Sequence, residues 1–448
     1  MIRPAYITIS LALSVLSCTI SSAVERFPPP DFESGYVQPT PTTPGPRQTM
    51  YEYIDTAVLF AALFLATLLV LKVRKRRAIF VMMIFSLVYF GFWRKGCVCP
   101  IGAIQNVTLS FFDPGYSVPI TTTLFFLLPL IFTLFFARSF CAAVCPLGAI
   151  QDLVLLRPTS LPQWLESGLR LFAYVYLAAA VLFAATGSAF IICRYDPFVS
   201  FLRLNGSLNI LILGACFLFI GMFIGRPYCR FICPYGVILR QLSRISKWKV
   251  TITPDDCIKC RLCEDSCPFG AIKIPTEDWP AHDYNKSKRR LIFLIILLPI
   301  LVLSFGWIGS ILQPVTSRVH ATVRLADRIY LEESGQAEGT TDASDAFRAT
   351  GKDIKDLYTE ALAIQSRFGL GGWLAGGFVG LVIALKLIVP SLRRHRSDYE
   401  ADMASCLACG RCFEYCPKEH SKRKQAKEEF PKREIVRLGA PETMGENR

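Results

Sequence analysis

Histidine is scarce in this sequence. Only four of the 448 residues are histidines, namely His282, His320, His395 and His420. None of them lies in a long apolar stretch, so haem bound by histidine inside a membrane is disfavoured. The sequence also lacks a nucleophile elbow and a phosphate-binding loop. These absences argue against a haem protein and against a conventional hydrolase or nucleotide-driven enzyme.

Charged residues are also few. Asp, Glu, Lys and Arg make up 19% of the chain, against 52% apolar residues, and the mean hydropathy is +0.39. This composition is typical of membrane proteins. The net charge of +14 would suit a nucleic-acid partner, but most basic clusters flank apolar stretches, where Lys and Arg fix membrane orientation. We therefore expect a membrane and no nucleic acid.

Seven apolar stretches are close to the ~20 residues that a membrane-spanning helix needs. They cover approximately residues 53–71, 78–93, 119–137, 170–187, 207–225, 291–312 and 370–389. If the chain starts outside and crosses the membrane at each stretch, its basic clusters lie on the inner side. These clusters fall within residues 72–77, 226–249, 286–290 and 393–396. The predicted fold class is a mainly α membrane protein, a polytopic helical bundle of about seven spans after a signal segment.

The first residues resemble a secretory signal. Residues 1–23 combine Arg3, an apolar core from Tyr6 to Ile20 and small residues up to Ala23. Lipoprotein processing at Cys18 and an uncleaved first helix are the alternatives. The segments expected after it are a proline-rich extracytoplasmic linker (24–52), a membrane bundle (53–250), a first ferredoxin half (251–285), a transmembrane helix (286–313), an extracytoplasmic insert (314–368), a transmembrane helix (369–390), a second ferredoxin half (391–420) and a basic tail (421–448).

Two cysteine runs define the ferredoxin halves. Residues 257–268 and 406–417 both follow C-x2-C-x2-C-x3-C-P, the spacing that binds [4Fe–4S] clusters. In two-cluster ferredoxins the fourth cysteine of each run completes the other cluster. The predicted ligand sets are therefore Cys257, Cys260, Cys263 and Cys416 for one cluster and Cys406, Cys409, Cys412 and Cys267 for the other. Structural zinc is the alternative, although its Cys-x2-Cys pairs are usually further apart.

The two runs are separated by two predicted spans and the polar insert. Two crossings return the chain to the side that it left. Both runs are therefore expected on the same side of the membrane, where they form a split two-cluster ferredoxin-like module. The basic clusters place that side in the cytoplasm.

A second cysteine pattern is repeated in the membrane region. Residues 94–105, 138–151 and 226–239 share a Cys-Pro step followed by a glycine, and such internal similarity indicates a repeated structural unit. Cys-x3-Cys places two sulfurs on one face of a helix. The pairs Cys141/Cys145 and Cys229/Cys233 are predicted to emerge at the inner membrane face and to form a four-thiolate redox or metal site. Buried structural thiols are the alternative.

Three further cysteines form a smaller group. Cys97, Cys99 and Cys193 are predicted to lie together at the outer face. Three sulfurs do not complete a four-cysteine site. They are interpreted as a candidate metal site that takes a ligand from a partner, as a site for another metal, or as an oxidised pair.

Paired Cys-x3-Cys-Pro motifs followed by ferredoxin runs resemble the NosR/NapH family of polyferredoxin-like membrane proteins, over residues 78–270 and the C-terminal run. The resemblance implies electron transfer between the membrane or periplasm and iron–sulfur clusters on the cytoplasmic side of a bacterial inner membrane. It also implies redox partner subunits, such as a flavoprotein or a periplasmic reductase. A flavin is expected only through such a partner.

The predicted function is the relay of single electrons by two [4Fe–4S] clusters, with a further iron–sulfur or metal site in the membrane region. The chain is then an electron-transfer subunit of an oxidoreductase system and not a stand-alone enzyme. One alternative is a redox-sensing or assembly protein whose clusters are not in turnover. Another is a metal-handling membrane protein.

Overall fold

Helices make up most of the chain in the computed structural model, which describes residues 48–96, 98–159, 161–248, 250, 257–276, 284–389, 396 and 398–421. The predicted signal segment with Cys18, most of the proline-rich linker, Cys97 and nearly all of the basic tail lie outside these ranges. The described residues from Thr49 onward belong to one compact unit.

The first half of the described chain contains eleven α-helices. Their bounds are α1 Thr49–Leu68, α2 Arg76–Ser86, α3 Pro100–Phe112, α4 Ile120–Phe136, α5 Pro146–Leu153, α6 Gln163–Ala185, α7 Ile191–Tyr195, α8 Val199–Arg203, α9 Leu208–Gly221, α10 Pro227–Phe231 and α11 Pro234–Arg244. Helices α1 and α2 continue as π-helices over Leu69–Val73 and Leu87–Trp93, and a π-helical turn covers Phe140–Val144.

The second half holds the ferredoxin runs and two long helices. Its elements are α12 Leu262–Asp265, β1 Ile272–Lys273, α13 Tyr284–Ile311, α14 Gln313–Thr316, a 3-10 turn Ser317–Val319, α15 Ala321–Glu333, α16 Asp342–Ala349, α17 Ile354–Ile388, β2 Glu400–Ala401 and α18 Arg411–Glu414.

Five of the described helices are long and apolar enough to cross a membrane. They are Thr49–Val73, Arg76–Trp93, Trp164–Ala185, Lys288–Ile311 and Ile354–Ile388. The apolar helices α4 and α9 are shorter. All seven coincide with the seven apolar stretches of the sequence, so the mainly α membrane class is confirmed, whereas the number of crossings stays a prediction.

The first Cys-x3-Cys-Pro motif, with Cys141 and Cys145, lies beside the α2 span. Ser86 donates a hydrogen bond to the carbonyl of Val144, and a Cβ at Gly91 would lie 3.4 Å from the Cβ of Pro146. The turn that carries this motif and the start of α5 therefore pack alongside α2. The membrane face at which the motif emerges stays a prediction.

The insert is helical and continuous with the last span. Leu357, Ile364 and Phe368 of α17 are buried against Val323 and Ile329 of α15. This packing keeps α17 helical across residue 369, where the sequence analysis expected a boundary. Further along the helix, Gly372, Gly376 and Gly380 let α17 approach the backbone of α13 closely.

The two ferredoxin halves join through a short antiparallel pair of strands. Ile272 of β1 pairs with Ala401 of β2, and Lys273 pairs with Glu400. Asp402 N donates to the carbonyl of Ala271 at 2.7 Å next to this pair. Cysteine runs that are far apart in sequence therefore lie in one module at the end of the α13–α17 hairpin.

Candidate metal centres

The first site is a small gap of about 30 Å³ between the two ferredoxin halves. It is lined by Cys257, Cys260 and Cys263 of the first run and by Cys416 of the second. The structure thus brings together the four thiols that the sequence pattern predicts as one ligand set. Cys260 is exposed, so this site reaches the surface of the protein.

The second site contains the complementary set. Its gap of about 20 Å³ is lined by Cys406, Cys409 and Cys412 of the second run and by Cys267 of the first. Cys409 is buried, so this site is more enclosed than the first. The exchange of the fourth cysteine between the runs, expected from the sequence, is present in the arrangement of the thiols.

Both runs turn through left-handed residues at matching positions. Lys259 and Ala408, directly before the second cysteine, have φ values of 52° and 53°, and Arg261 and Gly410, directly after it, have 64° and 75°. Left-handed residues in a loop turn successive N–H groups toward a common centre. Ala408 N accordingly lies 3.4 Å from Cys406 Sγ. The backbone thus offers hydrogen-bond donors to the thiols.

The third site lies in the membrane region. Cys141, Cys145, Cys229 and Cys233 line one gap of about 20 Å³. The predicted convergence of the two Cys-x3-Cys pairs is therefore present in the structure.

Helix starts position two of these thiols. Cys145 and Cys233 are the N-cap residues of α5 and α11, and in each helix the following proline occupies the first position. Proline is favoured there because its fixed φ suits the first turn and its missing N–H has no intrahelical partner. Gly236 N donates to Cys233 Sγ at 3.3 Å. The positive end of each helix thus faces a sulfur that becomes a thiolate on metal binding.

Side chains supply further donors to the third site. Gln151 is fully buried, and its Nε2 donates to Cys229 Sγ at 3.3 Å. Arg138 Nη2 donates to Cys141 Sγ at 3.6 Å, while Nη1 of the same side chain donates to the carbonyl of Ala404 at 3.4 Å. Arg138 therefore connects the third site to the second ferredoxin half.

Burial raises the pKa of the third-site thiols. The pKa of Cys229 is raised to about 11, and burial raises those of Cys145 and Cys233 well above the usual range. These thiols are protonated at neutral pH when no metal is bound. Metal binding must release their protons, so the metal's affinity has to outweigh this cost.

A buried carboxylate joins the ferredoxin module to the bundle. Asp152 forms ion pairs with Arg76, with Arg411 at 3.4 Å and with Arg226 at 3.6 Å. Arg76 also donates to the carbonyl of Cys409 at 3.0 Å. Burial alone would raise the pKa of Asp152, but the three guanidinium groups outweigh it and lower that pKa to about 2. Asp152 therefore stays ionised.

The second and third sites share one apolar cluster. Cys141 of the third site packs against the cluster that contains Phe269 and Leu407, and Cys267 and Cys406 of the second site pack against the same cluster. The second site is therefore the ferredoxin site that has packing neighbours in common with the third.

The outer cysteines are only partly described. Cys97 lies outside the described residues. Cys99 caps α3, and it lines a gap of about 20 Å³ together with Cys145 of the third site. Cys193 is exposed and lies close to Gly102 near the start of α3. The structure thus places Cys99 next to Cys145 of the third site.

The thiol sets fit an iron–sulfur cluster better than a single ion. Zinc–sulfur bonds of about 2.3 Å would draw four sulfurs close together. Among the residues that the structure describes, no group of three or more His, Cys, Asp or Glu is arranged to hold one metal ion. No disulfide joins any two described cysteines either. Four thiols around a shared gap, with N–H donors directed at the sulfurs, suit a polynuclear cluster.

Sequence reasoning missed the groups that support the thiols. It gave no role to Gln151, Arg138 or Asp152, although the phrase Cys-Pro-x-Gly-Ala-Ile-Gln occurs twice in the sequence, ending at Gln105 and at Gln151. Glutamine recurs six residues after Cys99 and after Cys145, in two otherwise apolar segments. This recurrence is the signal that could have identified Gln151.

Comparisons with known proteins agree with this picture. One family described as a 4Fe-4S binding domain matches residues 118–162 and 207–253, each of which contains one Cys-x3-Cys-Pro motif. A second 4Fe-4S binding domain matches residues 250–273, with the first ferredoxin run. No solved structure matches the chain.

Several curated proteins are similar to part of the chain. An uncharacterized protein of Methanocaldococcus jannaschii is 28% identical over 196 residues, covering 42% of this chain and 79% of that protein. YccM of Escherichia coli, whose name describes an electron transport protein, is 26% identical over 196 residues, covering 40% and 54%. Protein NirI of Paracoccus denitrificans is 30% identical over 122 residues, covering 26% and 18%.

The chain thus spans about half of YccM and less than a fifth of NirI. The segments that match the two 4Fe-4S families contain both Cys-x3-Cys-Pro motifs and the first ferredoxin run. The chain carries 4Fe-4S binding domains and is homologous to YccM and NirI. These findings confirm the resemblance to polyferredoxin-like membrane proteins and are consistent with the NosR/NapH-like family.

Proposed function

We propose that this chain relays single electrons between a cytoplasmic ferredoxin module and a partner in the membrane or periplasm. It is supported by the apolar cluster around Phe269 and Leu407, against which Cys141 of the third site and Cys267 and Cys406 of the second site all pack. This cluster brings the ferredoxin module next to thiols of the bundle. A bilayer core of ~30 Å is too thick to cross in one transfer, so a site at intermediate depth is needed.

Iron–sulfur clusters, when bound, accept and release one electron at a time. The protein's own residues decide where they sit and how easily they are reduced. Cysteine thiolates hold them, and the burial of Cys145 and Cys233 keeps water from the third site. Donors such as Gln151 stabilise the more negative, reduced state.

The exposed first site is the proposed contact point for a soluble partner. Cys260 is exposed there, and Lys259 and Arg261 flank it. Two cations beside an exposed site favour an acidic partner surface through long-range attraction. A flavoprotein or a periplasmic reductase subunit would complete the system at the other end, and a flavin would be supplied by that partner.

The proposed location is a bacterial inner membrane, with the ferredoxin module in the cytoplasm and the insert outside. The relationship to YccM and NirI supports a membrane-associated electron-transport role. The basic residues 72–77 and 286–290 support the orientation.

Reconstitution of the purified chain in vesicles tests the proposal. A dye acceptor is enclosed inside the vesicles, and a reductant that cannot cross the membrane is supplied outside. The wild-type protein should reduce the dye, and Cys229→Ser should stop this while both ferredoxin signals remain in electron paramagnetic resonance. Cys216→Ser is the matched control, because Cys216 lies in α9 outside the described thiol gaps.

Two outcomes would overturn the relay. A protein that holds its full iron and sulfide content but reduces no dye would be a redox sensor or assembly protein. A protein that purifies anaerobically with copper or zinc and without iron would be a metal handler. Normal dye reduction by Cys229→Ser would remove the third site from the route.

A further inference from the structure

A large apolar cavity lies in the membrane region and shares no lining residue with the gaps that contain the thiols. Its volume is about 700 Å³, which falls within the ~300–1,000 Å³ of ordinary ligand pockets. Helices α3, α6 and α17 supply most of its wall, together with Phe126 of α4 and Ile238 of α11. The cavity therefore has room for a ligand, and its wall indicates which kind.

The cavity extends along two antiparallel membrane helices. Tyr174 of α6 contacts Phe378 of α17, and Phe183 contacts Phe368, with ring centroids 6.3 Å and 6.0 Å apart. On α17 the lining residues extend from Arg367 to Phe378, a rise of about 16 Å at ~1.5 Å per residue. One half of a bilayer's hydrocarbon core is about 15 Å thick. The cavity thus has the length of an acyl chain in one leaflet.

The cavity is open at the surface of the bundle. Phe111 of α3 and Leu370 and Leu374 of α17 line it, and all three side chains are exposed. Exposed apolar side chains on membrane helices face lipid tails, which are as apolar as leucine. A ligand can therefore enter the cavity from the bilayer without passing through water.

Arg367 is the charged residue of the cavity wall. It lies at the end next to the insert, directly before Phe368, which is buried against α15. It forms no ion pair within the part of the chain that the structure describes, and no described lining residue is a carboxylate. Thr108 and Thr186 also line the wall, but each hydroxyl donates to a carbonyl one turn earlier in its own helix. The guanidinium of Arg367 is therefore the donor that the wall offers to a polar ligand group.

The other end of the cavity is apolar. Phe378 and Ile238 line it, where Val237 of α11 packs with Tyr174 of α6. Apart from Arg367 and the two threonines, all described lining residues are apolar. A head group with carbonyl or hydroxyl oxygens would lose its hydrogen bonds to water there without replacing them, which is costly. This end of the cavity therefore suits hydrocarbon, and the polar part of a ligand belongs at Arg367.

We propose that the cavity binds an anionic phospholipid, with an acyl chain along α17 and the phosphate at Arg367. A single cation without a carboxylate in the wall favours a head group of net negative charge over a zwitterionic one. Leu239, the residue after Ile238, lines the gap of the third site. The acyl chain would thus add an apolar layer beside that site.

Lipid titration of the purified full chain tests the charge at the mouth of the cavity. The protein is delipidated in detergent, phosphatidylglycerol or phosphatidylethanolamine is added, and bound lipid is counted by native mass spectrometry. Wild type should bind phosphatidylglycerol more tightly than the zwitterionic lipid. Arg367→Gln should weaken phosphatidylglycerol binding about fivefold and remove this preference, because one cation near a membrane surface contributes about this factor. Arg324→Gln is the matched control, since Arg324 is exposed on α15 outside the cavity wall.

A second variant tests the position of the acyl chain. Ala375 lines the cavity, so the phenyl group of Ala375→Phe would occupy the space of the chain and should abolish binding. Ala363→Phe adds the same group at an exposed position of α17 outside the cavity wall and should bind lipid like wild type. Unchanged ferredoxin signals show that each variant is folded, and the Arg367→Gln comparison decides alone if Ala375→Phe does not fold.

Three results would overturn the proposal. Wild type could bind both lipids equally, which would remove the role of Arg367. Folded Ala375→Phe could bind phosphatidylglycerol as well as Ala363→Phe does, which would place the lipid outside the cavity. An organic extract of the purified protein could contain a quinone and no phospholipid, which would assign the cavity to a quinone.

Discussion

The side-chain amide of Gln151 donates a hydrogen bond to the sulfur of Cys229 at 3.3 Å. Both residues are shielded from solvent, and the same amide is held by the carbonyl of Leu147 at 2.7 Å and by the N–H of Tyr228 at 3.0 Å. Three hydrogen bonds therefore fix the direction of the donor. A donor held in this way sets the reduction potential of a thiolate-bound centre, because it stabilises added negative charge.

Replacement of Gln151 by leucine should lower the midpoint potential of the third site. The leucine has a similar volume but offers no donor to Cys229, so the reduced state is less stabilised. Redox titration followed by electron paramagnetic resonance measures the change. Gln241→Leu is the control, because Gln241 donates to Tyr174 and contacts none of the thiols. Equal potentials in the two variants would show that the Gln151 bond does not tune the site.

Replacement of Asp152 by asparagine should destabilise the protein. Arg76, Arg226 and Arg411 would then lie around a neutral side chain. Breaking a buried ion pair in this way costs about 3–5 kcal/mol. Thermal denaturation in detergent should show a clearly lower midpoint. Asp327→Asn removes an exposed pair and should cost ~1 kcal/mol or less; similar losses in both variants would contradict a structural role for the Asp152 cluster.

Alanine at two adjacent glycines of α17 should have opposite effects. A Cβ at Gly376 would overlap the carbonyl of Phe305 in α13, whereas a Cβ at Gly377 would come no closer than 3.7 Å to Val302. Gly376→Ala forces the helices apart and should cost about 1–3 kcal/mol. Gly377→Ala should be neutral or stabilising, because alanine favours helix. Thermal midpoints that do not differ would show that the helices do not pack this closely.

The ferredoxin ligand sets could be predicted because the cysteine spacing itself encodes them. Cys267 and Cys416 each stand four residues after the preceding cysteine and directly before a proline, so exchange between the runs is the expected arrangement. The pairing of Ile272 with Ala401 then provides the contact that joins the halves. Local spacing and an even number of intervening spans were sufficient here.

Contacts between distant segments could not be predicted in the same way. The spacing of Cys141 and Cys145 indicates which helix face they share, but not that this turn packs along α2, where Ser86 donates to the carbonyl of Val144. The hydrogen bond from Ile192 N to Gln105 Oε1 joins segments 87 residues apart in the sequence, and no local pattern reports such a contact.

Tags at two positions should be accessible from opposite sides of the membrane. Gly335 is an exposed loop residue of the insert, and Arg448 ends the chain after the second ferredoxin run. Because α13 and α17 form a hairpin, the insert lies at one end and the ferredoxin halves at the other. A protease added to spheroplasts should cleave a tag after Gly335 but reach one at Arg448 only after permeabilisation. Cleavage of both in intact spheroplasts would refute the topology.

Serine at Cys416 should remove the same cluster as serine at Cys260, although the two residues belong to different runs. The first gap is lined by both thiols, whereas Cys267 lines the second gap with Cys409. Cys267→Ser should therefore match Cys409→Ser. Electron paramagnetic resonance and iron content of the four variants distinguish the two clusters. If Cys416→Ser instead matched Cys409→Ser, each run would hold its own cluster, and the exchange between halves would be wrong.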